Sequence, residues 1–204
     1  CALPFQPKWK TMKPIASSTA LSGDMNKALE ILKAAGYTMV NAYGYRASTS
    51  KSLTTNLTVC KDNPFKVACA KEIKSQLEKI NFHVRIIELG YEDYAKAIQK
   101  GEFEMYLGEI KLPMNMSLSA FFSSSGVAYV GIDAENGLPC RDEYFAMRSG
   151  ELSLSDFCAA FDQAVPFVPL CFRSGLAMYS RSIGTEVIGT CTDGFYNINT
   201  WTKK

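Results

Sequence analysis

Between Leu57 and Leu107 the chain switches hydrophobic period in a fixed order, and that order leaves few folds open. Leu57–Cys60 is a short apolar run with the character of a buried strand. Asp62-Asn63-Pro64 then supplies a capping side chain and a proline suited to a first helical turn. Cys69, Ile73, Leu77 and Ile80 share one face of the helix that follows, and Asn81 is a stop. Val84, Ile86 and Glu88 alternate with Arg85, Ile87 and Leu89, with apolar side chains on both sides, as in a strand covered on each face. Tyr94, Ala97 and Ile98 face inward from a second helix closed by Gly101, and Phe103–Ile110 reads as a third strand. Two strand–helix–strand units this close together imply right-handed parallel crossovers, and hence the α/β class.

The flanks are less regular. Residues 1–21 carry Pro4, Pro7 and Pro14 and a Ser/Thr cluster, which predicts an arm or linker; residues 22–204 read as a single α/β lobe. Asp24 caps a helix with Met25, Ala28, Leu29, Leu32 and Ala35 at helical spacing, and Gly36 ends it. Thr38–Leu53 is polar and turns back toward the sheet. Asp142–Arg148 and Ser155–Val165 read as helices, the second stopped by Pro166. Phe167–Ser180 and Tyr196–Trp201 read as strand-rich, which suggests antiparallel additions and therefore a mixed sheet with helices on both faces.

Bulk properties exclude several functions. In 204 residues, 22 Lys and Arg nearly cancel 20 Asp and Glu, so no field draws the chain to nucleic acid or an anionic membrane. The longest apolar run, Ala164–Phe172, is far short of a membrane span and carries two prolines. Seven cysteines, without a C-x-x-C, fit buried free thiols, with one or two bridges as the alternative. Phosphate loops, dinucleotide fingerprints and His-rich metal signatures are absent, so no cofactor or metal is implied. His83 is the only histidine and precedes an apolar strand, a poor setting for a catalytic base.

The blocks Pro64–Leu107, PFVPLCFRSGLAMYS, and Phe195-Tyr196-Asn197 with Trp201 resemble the C-terminal lobe of the family 5 (peptide, oligopeptide and nickel type) extracellular solute-binding proteins of ABC transporters. Lys27-Ala28-Leu29 through Gly36-Tyr37 matches a further element of that family. The resemblance implies one lobe of a two-lobed, periplasmic-binding-protein-like clamp, with another lobe outside this chain. Its implied partners are a small peptide-like solute and the permease subunits, and its location is extracytoplasmic, periplasmic or as a surface lipoprotein. Cys1 fits a lipoprotein start, but the resemblance places it mid-chain, near the crossing between lobes.

Ligands of open α/β sheets sit at the carboxyl ends of the strands, which directs attention to the loop Gly108–Phe122. The resemblance assigns ligand-binding positions to Cys60, Lys61, Tyr106, Gly108, Glu109, Ile110, Lys111 and Leu112, with the backbone after the third strand pairing to an extended ligand. Peptide binders of this family usually carry an Asp near Leu112 for the ligand ammonium, and the dipeptide branch an Arg near Cys60; both are missing here. Glu109 would substitute for the first, whereas Lys61 and Lys111 favour an anionic or neutral polar ligand. Ser117, Ser119 and Ser123–Ser125 would donate hydrogen bonds or cap a helix, and Tyr91, Tyr106, Phe121, Phe122, Tyr129 and Trp201 would line a cleft or fill the core. Two competing readings remain: a hydrolase using Glu102 and Glu104, and an interaction or sensor lobe that needs no ligand.

Overall fold

The computed structural model describes residues 3–7, 9–12, 24–132, 137–173, 178–190 and 193–204. They form two compact units, one of residues 22–109 with 130–133, the other of residues 1–21, 110–129 and 134–204.

In the first unit, the Asp24 carboxylate accepts from the amides of Asn26 and Lys27 at 2.9 and 3.2 Å and so starts α1 (Met25–Ala34). Gly36, at φ +89°, turns the chain out of it, a conformation open to glycine without strain. The expected turn back to the sheet is a small antiparallel hairpin of β1 (Met39–Val40) and β2 (Arg46–Ala47), from which Leu53 leads into the next strand.

β3 (Thr54–Cys60) is the centre of the unit. α2 (Pro64–Glu78) follows it, begun by the Asn63 side chain accepting from the Lys66 amide at 3.2 Å and by proline in the first turn. β4 (His83–Leu89), α3 (Tyr91–Lys100) and β5 (Met105–Tyr106) complete the motif. β4 and β5 lie on opposite sides of β3, both parallel to it, with Leu57 opposite Ile86 on one side and Met105 on the other. Since the chain steps to one side of β3 and then back past it, right-handed crossovers put α2 and α3 on opposite faces.

Strand parity agrees. Leu57 and Val59, Val84, and Leu107 just past β5 are buried with Ala70 of α2, and Cys69, Ile73 and Leu77 pack on them. The other face shows Thr58 and Cys60, and Tyr94 of α3 reaches it, donating its hydroxyl to the Leu107 carbonyl at 3.0 Å. Arg46, buried in β2, donates Nε to the Ile80 carbonyl at 3.0 Å and Nη1 to the Tyr37 carbonyl at 3.3 Å. Its cation thus satisfies carbonyls just beyond the negative ends of α2 and α1.

The second unit is built on aromatic rings. α4 (Ser119–Phe122), α5 (Arg141–Ser149) and α6 (Leu154–Ala164) contribute Phe122, Tyr144, Phe157 and Phe161 to one buried cluster. Phe122 stacks on Tyr144 with ring centres 4.7 Å apart, and Phe121 on Phe167 at 4.2 Å. The Tyr144 hydroxyl accepts from the Leu118 amide at 2.9 Å and lies 3.0 and 3.1 Å from the Ser117 and Ser119 hydroxyls. These two serines therefore satisfy a buried phenol, while the α4 cap position, Leu118, has no side-chain cap bond. As expected from Pro166, α6 ends at Ala164.

Several expectations need correction. Among the described residues of 1–21, Lys10–Met12 is a 3-10 turn, and Leu3, Phe5 and Met12 are buried in the aromatic cluster; Cys1 and the stretch 13–23 lie outside the described residues. Among the described residues, Phe167–Ser180 holds no strand, and Tyr196–Trp201 holds a 3-10 turn at Ile198–Thr200 in place of one. Asn197 accounts for that turn: its side-chain oxygen accepts from the Trp201 indole at 3.0 Å and the Ile188 amide at 2.8 Å. No antiparallel strand joins the three-stranded sheet among the described residues, and β1–β2 stands as its own sheet. The third strand is shorter than Phe103–Ile110. Of the cysteines, Cys60, Cys140 and Cys158 are buried free thiols, Cys69 is half-buried and free, and Cys171 is exposed and free; burial pushes the Cys140 and Cys158 thiols up to about 11, so they stay protonated. Cys191 lies outside the described residues.

The packing sets a contrast measurable by denaturant unfolding. Phe157→Ala, at a ring with no exposed surface, is expected to cost about 3–5 kcal/mol. Ile31→Ala, on a side chain 60% exposed, is expected to stay within about 0.5 kcal/mol of the parent.

Candidate functional site

The carboxyl ends of β3 and β5 form a rim on the first unit. Cys60 closes β3 with its side chain buried, so it offers backbone more than thiol. The next amide, that of Lys61, donates to the Leu89 carbonyl at 2.8 Å, which ties the turn to β4 and leaves the Lys61 side chain at the surface. Asp62 accepts from the Tyr91 amide at 2.7 Å and fixes the start of α3 beside it.

Tyr106 ends β5 opposite Thr58, its ring half-buried and set edge-on to Phe103 with centres 4.7 Å apart. Burial raises its phenol pKa. Tyr94 lies close by: burial first, then the neighbouring Tyr106 and Cys60, push its phenol up to about 12. Both rings therefore act as neutral phenols at any physiological pH. Gly108 follows with no room for a side chain, because a Cβ there would stand 2.9 Å from Tyr106 Cε2. The exposed backbone at this point carries no side chain, and adding one would displace the Tyr106 ring.

Glu109, also exposed, lies 3.9 Å from Lys66 Nζ, and the same ammonium sits 5.8 Å above the Tyr94 ring. Cys60, Lys61, Tyr106, Gly108 and Glu109 therefore belong to one rim. Ile110, Lys111 and Leu112 fall in the second unit. Lys111 is exposed, Ile110 half-buried, and Leu112 packs on the aromatic cluster. The position where peptide binders carry an acid is here part of a hydrophobic core.

Lys66, Tyr94 and Asp62 were not assigned to the rim from sequence. The inward face of α3 already contained Tyr94, and Lys66 lies in the first turn after the Asn63 cap, but nothing local says that both lean toward the end of β5.

The carboxylates of the hydrolase reading are engaged elsewhere. Glu104 accepts from the Asn56 amide at 2.7 Å, the Thr55 hydroxyl at 3.1 Å and the Asn56 side chain at 3.2 Å. The Asn56 amide bond, followed by the Thr55 bond, holds its carboxyl below the ordinary value of 4.5, the reverse of what a general acid needs. Glu102 forms an exposed pair with Lys100 at 3.8 Å. Both precede β5, so neither lies on a strand face. His83 stacks on Tyr45 with ring centres 4.2 Å apart and has Nδ1 3.6 Å from Glu78.

A parallel βαβαβ core that presents backbone at its carboxyl edge has the layout of an α/β ligand-binding lobe. Residues 2–128 match the family model described as bacterial extracellular solute-binding proteins, family 5 Middle. The chain belongs to that family.

No curated protein matches the chain. Among solved structures it is similar to a mannohexaose-bound periplasmic oligopeptide-binding protein of an oligopeptide ABC transporter from Thermotoga maritima, at 17% identity and TM-score 0.60, covering 80% of this chain and 33% of that one. It is similar to the oligopeptide-binding protein AppA from Bacillus subtilis in complex with a nonapeptide, at 17% identity and TM-score 0.55, over 80% of this chain and 33% of the other. A third is NikZ from Campylobacter jejuni in complex with Ni(L-His), at 18% identity and TM-score 0.54, over 70% and 31%. These likenesses establish the fold, and the chain spans about a third of the length of each protein. No helix among the described residues is long and apolar enough to cross a membrane.

Glu104 gives a pH signature. A carboxyl whose folded pKa is depressed stabilises the fold above its unfolded value, and that contribution is lost as pH falls through the folded one. Glu104→Gln is therefore expected to lower stability at pH 7 and to flatten the acid limb below about pH 4.5 in urea titrations monitored by circular dichroism.

Proposed function

We propose that this chain supplies most of the C-terminal lobe of a solute-binding protein that closes on a small polar solute, peptide or related, and delivers it to the permease of an ABC importer. The observation that supports this best is the exposed Gly108–Glu109 backbone, beside Tyr106 at the carboxyl end of β5. Exposed main chain in that position can pair with an extended ligand whatever its side chains. Cys60, Lys61, Tyr106 and Gly108 through Leu112 are the ligand-contacting positions on this reading, the last three through the segment that enters the second unit. The protein would act outside the cytoplasm, with residues 22–204 in one lobe, residues 1–21 coming from between the lobes, and the remainder of the clamp outside this chain.

The ligand's charge follows from the rim. A peptide ammonium placed at Leu112 would meet a hydrophobic core with no counter-charge, a cost of several kcal/mol in order of magnitude. Of the carboxylates at the rim, Asp62 accepts from the Tyr91 amide and Glu109 has Lys66 nearby. A neutral polar solute, or a peptide held by its backbone, fits better than one anchored by its amino end. The family's described members bind solutes, and the geometry of Glu102 and Glu104 does not support hydrolysis.

A clamp holds ligand between two surfaces, so one surface keeps only part of the contacts and excludes little water. Calorimetry of the isolated chain with peptide, amino-acid and sugar panels is expected to give dissociation constants weaker than about 1 mM, or no heat at all. In a nitrogen-15 NMR titration at high ligand concentration, shifts are expected at the amides of Lys61, Gly108 and Glu109. Micromolar affinity, or shifts confined to other residues, would contradict the reading.

A further inference from the structure

Among the described residues, Asn81, Met116, Cys140 and Val165 are the non-glycine residues with positive φ, and of these Val165 alone is branched at Cβ. At φ +45° and ψ +56° it forms the left-handed turn that ends α6, its amide donating to the Phe161 carbonyl at 2.8 Å. That position suits glycine or asparagine. Valine is opposed there twice. Its branched side chain crowds the backbone in the left-handed region, and the ring of Pro166 steers the preceding residue toward extended backbone. The Val165 side chain is 55% exposed, so its own packing does not impose the turn.

Phe167 imposes it. The left-handed residue folds the chain back onto the helix it has just left. Two residues on, the Phe167 ring stacks on Phe121 with centres 4.2 Å apart and stands edge-on to Phe161 of α6 at 5.0 Å. A chain running straight on past Ala164 would carry Phe167 away from Phe161, which is itself buried in the aromatic cluster. Backbone strain persists only where the surroundings over-determine it, and these ring contacts supply that hold. Val168, the next apolar residue, is 69% exposed, so Phe167 is the anchor nearest the turn.

We propose that Val165 is a bistable joint. With Phe167 docked it is held left-handed under strain. When the ring leaves, Val165 relaxes to the extended backbone that valine and a following proline both favour, and the segment 166–173 changes course relative to α6. The joint lies within the second unit and does not rest on the clamp reading, so its failure would leave the rim untouched.

The test is a set of urea titrations of the full chain. Val165→Asn relieves the crowding without the chain entropy that glycine would add to the unfolded state, and is expected to raise the folding equilibrium constant about five-fold. Val165→Ile, branched like the parent, is expected to leave it within about two-fold. In a Phe167→Ala background the gain from Val165→Asn is expected to vanish, because the joint is already relaxed. In Phe167→Ala itself, the NMR Cα and Cβ shifts of Val165 are expected to move from left-handed to extended values. Should Phe167→Ala not fold, Phe167→Leu, which keeps apolar volume and loses the ring, gives the same comparison. Parent-level stability in Val165→Asn, a gain of equal size in both backgrounds, or a Val165 that stays left-handed without the ring would each overturn the proposal.

Discussion

Everything in the first unit depends on β3 being hydrogen-bonded on both sides by parallel strands. A parallel neighbour cannot be reached by a tight turn, so each pairing forces a crossover, and two crossovers in opposite directions force helices onto both faces. That explains why Val59 and Val84 have no exposed surface. It also explains why β3 and β5 end on the same side, where loops leave in the same direction and no further strand claims their backbone. The rim follows from the topology before any side chain is considered.

Side chains then decide which parts of the unit are closed and which are open. Tyr94 joins α3 to the backbone just past β5 through one hydrogen bond, and its buried phenol keeps its proton. A side chain at position 108 would require the Tyr106 ring to shift. Packing at the end of the sheet thus produces an exposed main chain, and the charges around it, Lys61, Lys66 and Glu109, stand at its margin.

The fold was legible where local chemistry and hydrophobic period agreed. Asp24, Asn63-Pro64 and Gly36 carry their own capping chemistry, and the apolar face Cys69, Ile73, Leu77 and Ile80 has a single solution. Legibility failed where a side chain took over a backbone role. Phe103–Ile110 reads as one strand, but the Glu104 carboxylate occupies the Asn56 amide that a strand carbonyl would have taken, so pairing begins at Met105. The apolar residues after Pro166 look like a strand, yet Phe167 is used as a ring stacked on Phe121, and a strand needs a partner that sequence alone does not name. Prolines marked residues 1–21 as an arm, but among its described residues Leu3 and Phe5 enter the aromatic cluster. Of the rim, the carboxyl ends of β3 and β5 follow from strand order, whereas Lys66 and Tyr94 required knowing how α2 and α3 lean over the strand ends.

The claim beneath the whole account is that β3 is the doubly paired, doubly covered spine of the first unit. Residue-resolved hydrogen exchange tests it most directly. The amides of Leu57, Val59 and Cys60 should be the slowest in that unit and exchange together, far more slowly than those of the surface helix α1. Exchange of β3 amides as fast as that of α1 would contradict a parallel core built on this strand, and the rim at its carboxyl edge would lose its foundation.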